Sequence, residues 1–386
     1  MTLVLIGGCL EPGADGVGDY SRRLAAACVR LGVPTCLLAL NDHCIQTTLR
    51  ADQVCEGIAL PALRLPATLP WAERCRITRE QLQLWGCTAI SLQFVPYAFE
   101  PRGLPLNLIA VMRSILRDYP DLRVHLMLHE IWIGIATASN LRSRAIGRLQ
   151  RHLLLRLWRT MRPCQVHTTN TTYACCLSQV GITADRLPLF NGLAGDGSPA
   201  LPARVPAEQG HWYSACIFGR IPPPWNPDPA LAALVEESQR QHRRPRLLLV
   251  GRHWVPDQWF TQLQERWPQL VIDRHGTEPS PQKLCELIAS CQLGLATVPW
   301  GLVEKSSAVA AFLSLGVPVL ASREDWQLRP RWRGNRNPDL PDHSNLLRLS
   351  AWRDRTSCRL LPLYTPMTPE RVAESMLPLL MPAVPL

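Results

Sequence analysis

The 386-residue sequence predicts an α/β protein of two Rossmann-like domains, each a mostly parallel sheet covered by helices. Three observations predict it. Short apolar runs alternate with longer stretches whose apolar residues recur at helical spacing, which is the order that crossover connections impose on a parallel sheet. The alternation stops across Gly195 to Gly210, GDGSPALPARVPAEQG, where glycines and prolines occur without an apolar period, and then restarts. The length is about two to three times that of a typical domain. The predicted division is a first domain over 1–194, a linker over 195–210, a second domain over 211–367 and a terminal helix and tail over 368–386.

The first element is the apolar run Leu3 to Gly7, ending at Gly7-Gly8. A helix follows, in which Tyr20, Leu24, Ala27, Cys28 and Leu31 share one face. Strands are predicted at Thr35–Leu40, Ala89–Phe94, Arg123–Leu128 and Val166–Thr169, and helices at Asn107–Arg117, Ser139–Met161 and Tyr173–Val180. Beyond the linker, strands are predicted at Ser214–Phe218, Arg246–Val250, Leu270–Asp273, Leu293–Thr297 and Val317–Ala321. Helices at Asp228–His242, Asp257–Trp267, Pro281–Cys291 and Ser307–Leu315 separate them. Pro330 to Pro341 is polar, rich in Arg and Pro, and expected to be a surface excursion, whereas Thr368–Leu377 forms a last helix with Pro369 at its start.

Composition narrows the function classes. With 47% hydrophobic and 19% charged residues the chain can bury a large core, which excludes disorder, collagen and coiled coil. No apolar run reaches the roughly 18 residues a spanning helix needs. The opening MTLVLIGGCLEP is short for a signal peptide and lacks a basic start, so a cytoplasmic location is expected. The net charge is 41 − 31 = +10, and only Lys283 and Lys305 are lysines; such a balance favours anionic partners. The 14 cysteines lie in apolar segments without a CxxC pair, so they are read as small core residues and no metal site is predicted.

Ligands of such folds sit beyond the carboxyl ends of the strands, so the loops there carry the candidate chemistry. Gly13, Gly16 and Gly18 place bare backbone at the start of a helix, where N–H groups approach an anion. The dinucleotide fingerprint is not met, because Ser21 stands where its third glycine would be. The string GVGDYSRRLA is more specific, and with it the sequence resembles the glycosyltransferase family 4 group of GT-B enzymes. The resemblance continues through SLQFVPYAFEPRGLP (91–105), LHE (128–130), LPLFNGLA (187–194), CIFGRI (216–221) and EKSSAVAAFLSLGVPVLAS (304–322).

The resemblance implies two domains facing each other across a crevice. It also implies sugar transfer, with retention of configuration, from a nucleotide diphosphate sugar held mainly by the second domain to an acceptor held mainly by the first; no cofactor is implied. Charge building on the pyrophosphate must then be stabilised by cations and N–H groups. Arg220, Lys305, Ser306, Ser307 and the Gly16, Val17, Gly18 loop suit that task. His129 stands where similar family members carry a histidine near the reacting sugar, Glu130 is placed to orient an acceptor hydroxyl, and Asn191 resembles the interdomain turn. The sequence departs from the family at three positions. The usual pair of glutamates falls on Val303 and Ala311, leaving Glu304 off by one, and the lysine partner of Arg220 falls on Trp225.

Arg142, Arg144, Arg148, Arg151, Arg156, Arg159 and Arg162 are interleaved with leucines in one helix. Such a helix docks on an anionic membrane surface or forms the solvated outer face of a sheet-packed helix. No nucleic-acid motif accompanies it, and no nucleic-acid partner is expected. The expected function is therefore a glycosyltransferase acting on a glycan or lipid-linked acceptor, peripheral on the inner face of the membrane. A catalytically silent module with the same fold and a sugar-nucleotide epimerase using Glu130 and Glu304 are the alternatives.

Overall fold

The computed structural model describes residues 2–191, 193, 211–223, 225–253, 255–278, 280–334, 345–352 and 367–380. The predicted linker Gly195–Gly210 lies outside them, as do positions 335–341 of the expected surface excursion and 381–386 of the tail. The chain forms two compact units: Met1–Pro188 with Leu328–Arg336 and Thr368–Leu386, and Leu189–Gln327 with Asn337–Met367.

In the first unit the elements are β1 (Thr2–Gly7), α1 (Gly16–Arg30), β2 (Thr35–Asp42), β3 (Leu49–Arg50), β4 (Gln53–Cys55), β5 (Ile58–Leu60), β6 (Ala62–Pro66), α2 (Trp71–Leu84), β7 (Cys87–Phe94), α3 (Pro96–Phe99), α4 (Leu106–Asp118), β8 (Arg123–Leu128), α5 (Leu141–Met161), β9 (Gln165–Thr168), α6 (Thr171–Ser178) and β10 (Asp185–Arg186). The sheet order is β10-β9-β8-β7-β1-β2-β6-β3, and only the β3 edge pairs antiparallel. Apolar runs such as LVLIG in β1 are buried on both faces, as helices covering both sides of a parallel sheet require. The order doubles back between β1 and β7, because β2 and β6 lie on one side of β1 and β7, β8 and β9 on the other.

The second unit repeats the plan with β11 (Trp212–Phe218), α7 (Asp228–Arg240), β12 (Arg244–Val250), α8 (Asp257–Arg266), β13 (Val271–Gly276), α9 (Pro281–Ala289), β14 (Leu293–Pro299), a 3₁₀ turn over Trp300–Lys305, α10 (Ser307–Ser314) and β15 (Val319–Arg323). The segment Pro330–Arg333 (α11) returns to the first unit, after which β16 (Leu346–Arg348) and α12 (Leu349–Trp352) complete the second. Its parallel sheet has the order β13-β12-β11-β14-β15-β16, again reversing beside its first strand. The last helix, α13 (Pro369–Leu380), belongs to the first unit and is tied to α1 by an Arg30–Glu370 ion pair at 2.7 Å.

Two regions depart from the sequence-based expectation. The start of the expected surface excursion is instead packed: Leu328 bridges Ala136, Arg329 N donates to Ile135 O at 3.0 Å, and buried Trp332 lies 5.4 Å from buried Trp132. Burial of the large indole outweighs the polar composition around it. Between residues 49 and 84 the structure has β6 and α2, for which no apolar period is visible. Helix α2 is held instead by buried Arg74, whose guanidinium donates to Leu40 O at 3.1 Å, Asn41 Oδ1 at 2.7 Å and Leu69 O at 2.6 Å, and to Ala67 O.

Glycines bring α5 against the loop that follows β8. A β-carbon on Gly147 would sit 1.9 Å from Ile133 O, and Gly134 has φ +79° with its β-carbon position 2.7 Å from Ser143 O. Gly147→Ala should therefore destabilise the first unit by about 1–3 kcal/mol or more, lowering its urea midpoint. An equivalent alanine at exposed Gly16, where nothing lies within 4 Å, should leave that midpoint nearly unchanged.

Candidate functional site

In the first unit, β8 ends at Leu128, and both following amides turn onto the neighbouring strand. His129 N donates to Phe94 O at 3.0 Å and Glu130 N to the same oxygen at 3.4 Å. His129 and Glu130 are thus fixed at the carboxyl edge of the sheet, the histidine buried and the glutamate half-buried. The first turn of α1 is brought beside them by Tyr20, whose ring meets His129 edge-on with centroids 4.9 Å apart. Gly18 allows that approach, since a β-carbon there would lie 2.6 Å from Cys9 O. The amides expected to face an anion already have an acceptor: Asp15 caps α1, taking Val17 N at 3.3 Å and Gly18 N at 3.2 Å. An anionic ligand at Gly16–Gly18 would have to displace that carboxylate.

His129 is the end of a hydrogen-bonded chain that runs through the sheet. Gln93 donates its amide N–H to Ser91 Oγ at 2.7 Å and presents Oε1 to His129 Nε2 at 2.8 Å. Ser91 Oγ lies 2.7 Å from His125 Nδ1, and His125 Nε2 lies 2.8 Å from His167 Nδ1. Because Ser91 accepts from Gln93, its hydroxyl donates to His125, so His125 Nε2–H donates to His167 in turn. His167 Nε2–H then faces the Gln165 amide at 3.0 Å, and the direction of the chain places the otherwise unpartnered Gln165 Oε1 on that ring. His129 is held as the Nε2–H tautomer with Nδ1 as its accepting nitrogen. Burial and the adjacent imidazoles hold His125 well below the ordinary histidine range, and burial lowers His167 to about 4 against the opposing pull of Asp185.

In the second unit the corresponding edge carries the cations. Gly219 follows β11 with φ +83° and donates its N–H to Val250 O at 2.9 Å, leaving Arg220 exposed. Thr297 of adjacent β14 donates Oγ1–H to Arg220 O at 3.1 Å, tying this loop to the strand that leads into the 3₁₀ turn with Glu304 and Lys305. Ser306 caps α10 by accepting from Val309 N at 3.3 Å, and Ser307 is exposed in its first turn. Arg220, Glu304, Lys305, Ser306 and Ser307 therefore leave the sheet from its two central strands, where the strand order reverses.

Asn191 lies elsewhere. Its Nδ2 donates to Ser314 Oγ at 2.7 Å and its Oδ1 accepts from Leu193 N at 3.3 Å, at the end of α10 remote from Ser307 by about 10 Å of helix. The positions matched to the family's glutamates are both core: Val303 and Ala311 are 0% exposed and pack in one cluster with Phe312 and Val319. Trp225, at the missing lysine, is buried and donates Nε1–H to Ser322 Oγ at 3.0 Å. His253, after β12, is a residue the sequence reading missed. Its Nδ1 lies 2.8 Å from Gly219 O, its buried Nε2 lacks a partner among the described residues, and burial lowers its pKa. The signal available was the GRH following an apolar strand.

Cysteine spacing also concealed a cluster. Cys9, Asp42 and Cys44 bring their ligand atoms within 4.8 Å of one another, across a separation no short motif would show. The carboxylate is already engaged by Arg64 Nε at 2.7 Å, Leu10 N at 3.2 Å and Cys44 N at 3.0 Å, and burial pushes the Cys9 thiol up to about 12.

No protein-family model and no curated protein matches the chain. Among solved structures it is similar to HepE of Anabaena, determined with UDP and glucose, at 14% identity over 83% of this chain and 80% of that one, with a TM-score of 0.52. It is likewise similar to sucrose-phosphate synthase of Thermosynechococcus elongatus, at 16% identity over 83% and 81%, with a TM-score of 0.51. The chain has the GT-B fold. Among the described residues, no helix is long and apolar enough to cross a membrane.

The buried imidazoles make stability depend on pH in a defined direction. His167 titrates at about 4 in the folded chain and near 6.5 when unfolded, so between those values the unfolded state binds more protons. Stability of the first unit is full above pH about 6.5 and falls by about 3 kcal/mol as the pH drops to about 4. Urea midpoints measured across that range should show the fall, and His167→Gln should make it shallower, with the part due to buried His125 remaining.

Proposed function

We propose that the protein transfers a sugar from a nucleotide diphosphate sugar to an acceptor. The observation that carries this reading is the placement of Arg220 and Lys305 on loops leaving β11 and β14, the two strands flanking the reversal of the second sheet, where α/β folds bind nucleotides. The two guanidinium and ammonium charges stabilise the diphosphate as it departs, and Ser306, Ser307 and the amides of the α10 N-terminus complete its anionic environment. Glu304, adjacent to Lys305, engages hydroxyls of the donor sugar. HepE, solved with UDP and glucose, supports a nucleotide sugar as the donor class.

On the first unit, His129 with its fixed tautomer offers Nδ1 to a hydroxyl, and Glu130 beside it orients the acceptor. The transfer proceeds with retention of configuration. The departing phosphate takes the acceptor proton on the face it leaves, so the protein's task is to hold the reactants and stabilise charge. The acceptor is a glycan or lipid-linked sugar at the cytoplasmic face of a membrane, with outward arginines of α5 lying against anionic lipid.

A second reading is favoured by one observation, the burial of Val303 and Ala311: a module with this fold that binds a nucleotide sugar without turning it over. The two are separated by following melting temperature and product together while titrating UDP, GDP and ADP with their sugar conjugates. Transfer requires a shift with one nucleotide series and a glycosylated product; a shift with neither transfer nor donor hydrolysis leaves the silent module. Arg220→Ala and Lys305→Ala should each lower turnover by about 10²-fold or more with the melting temperature of the unliganded protein unchanged. Wild-type rates in both would overturn the assigned donor site.

A further inference from the structure

Within the first unit, arginines from two distant parts of the chain converge on one tryptophan pair. No aspartate or glutamate occurs between Glu130 and Asp185 or from Trp326 to Pro338, and these stretches supply the N-terminal half of α5 and the 328–334 segment. The Arg331 guanidinium stacks 4.2 Å from the Trp332 ring centroid, and Arg151 approaches the same ring at 5.4 Å. Arg329, Arg151, Arg148 and Arg144 all act on Arg331, and with burial they hold its guanidinium below the ordinary arginine value. None of these five arginines has a carboxylate partner among the described residues.

In the same stretches three buried donors lack acceptors among the described residues: Trp132 Nε1, Trp332 Nε1 and Arg144 Nε. The two indoles are 5.4 Å apart by ring centroid, and Arg144 is anchored by Nη2 donation to Thr137 O at 3.0 Å. Buried donors without acceptors are destabilising, as are like charges held together. An oxyanion resolves both, because its oxygens accept from the orphan N–H groups and its charge offsets the guanidiniums. Stacked arginines keep their N–H edges available for such a ligand.

We propose that Arg144, Arg148, Arg151, Arg329 and Arg331, with the indoles of Trp132 and Trp332, form a binding site for a phosphate ester or diphosphate. Trp132 follows His129 by three residues on the loop leaving β8, so the bound phosphate belongs to the acceptor side of the first unit. The site uses neither Arg220 nor Lys305 and its occupancy does not require turnover, so it stands or falls independently of the transfer reaction.

The test uses the full chain, with inorganic pyrophosphate as the probe and calorimetry at fixed ionic strength as the readout. Saturable binding is expected, weakened at least tenfold in Arg151→Gln/Arg331→Gln and unchanged in Arg156→Gln/Arg159→Gln, which removes the same charge farther along α5. Because pyrophosphate also suits the proposed donor site, the signal must persist in Arg220→Ala; its disappearance there overturns the assignment. Absence of saturable binding, or equal weakening in the two double variants, does so too. Vesicles containing 30% phosphatidylglycerol distinguish the source. Vesicle binding displaced by pyrophosphate assigns the site to a lipid phosphate, and pyrophosphate binding without vesicle binding assigns it to a soluble phosphate ester. Vesicle binding that pyrophosphate cannot displace shows a diffuse basic surface and refutes the site.

Discussion

The constraint on which the rest depends is the reversal of strand order beside the first strand of each sheet. Connections that leave β1 and β7, or β11 and β14, run to opposite sides of their sheet, so the loops at the carboxyl ends separate there and leave backbone uncovered. Every candidate residue except Asn191 lies on a loop leaving one of these strands or an immediate neighbour. Right-handed crossovers produce this arrangement from nothing more than alternation of strand and helix. The candidate residues therefore need no dedicated scaffold beyond these edges: imidazole and carboxylate stand at that of the first sheet, guanidinium and ammonium at that of the second.

The first edge is unusual in how deeply its histidine is supported. A strand interior in a parallel sheet is ordinarily apolar, yet Ser91, Gln93, His125 and His167 are buried on three adjacent strands. They are tolerated because donors and acceptors match in order from Gln165 to His129, so that each buried member has a partner. The benefit falls on His129, whose ring is fixed in orientation and tautomer before any ligand arrives. A lone imidazole at a strand end would need ordering on binding; this one does not.

Much of the fold was legible because its signal is local and apolar. Runs such as LVLIG and RVHLML are buried wherever they occur, and both sheets were read from them. Helix α2 was not legible because its anchor is the guanidinium of Arg74 on four oxygen acceptors, a polar device that leaves no apolar period. Nor were the contact of Trp132 with Trp332 and the approach of Cys9 to Cys44, since neither pair is joined by local spacing. Of the candidate site, the sequence places His129, Glu130 and Arg220 after apolar strands and Lys305 before a helix, and the structure has them at those positions. The partners that orient His129 were hidden inside strands, where serine, glutamine and histidine look like interruptions of an apolar pattern. Asp15 was in plain view but was not singled out, although a side-chain acceptor before GVG is a helix cap that competes with any anion for the same amides.

The departure at Val303 and Ala311 takes on a different meaning once their surroundings are known. A carboxylate at either position would be buried within the apolar cluster that also holds Val309, Phe312 and Val319, and burying a charge without a partner is strongly unfavourable. The loss is thus not a single missing side chain that one substitution could restore, because the surrounding core has closed over the positions. The polar residues that follow Val303, Glu304 and Lys305, are half-buried rather than sealed. A cation beside a carboxylate gives this loop one group suited to an anion and one suited to hydroxyls, where the pair of glutamates expected from the resemblance would have offered two acceptors.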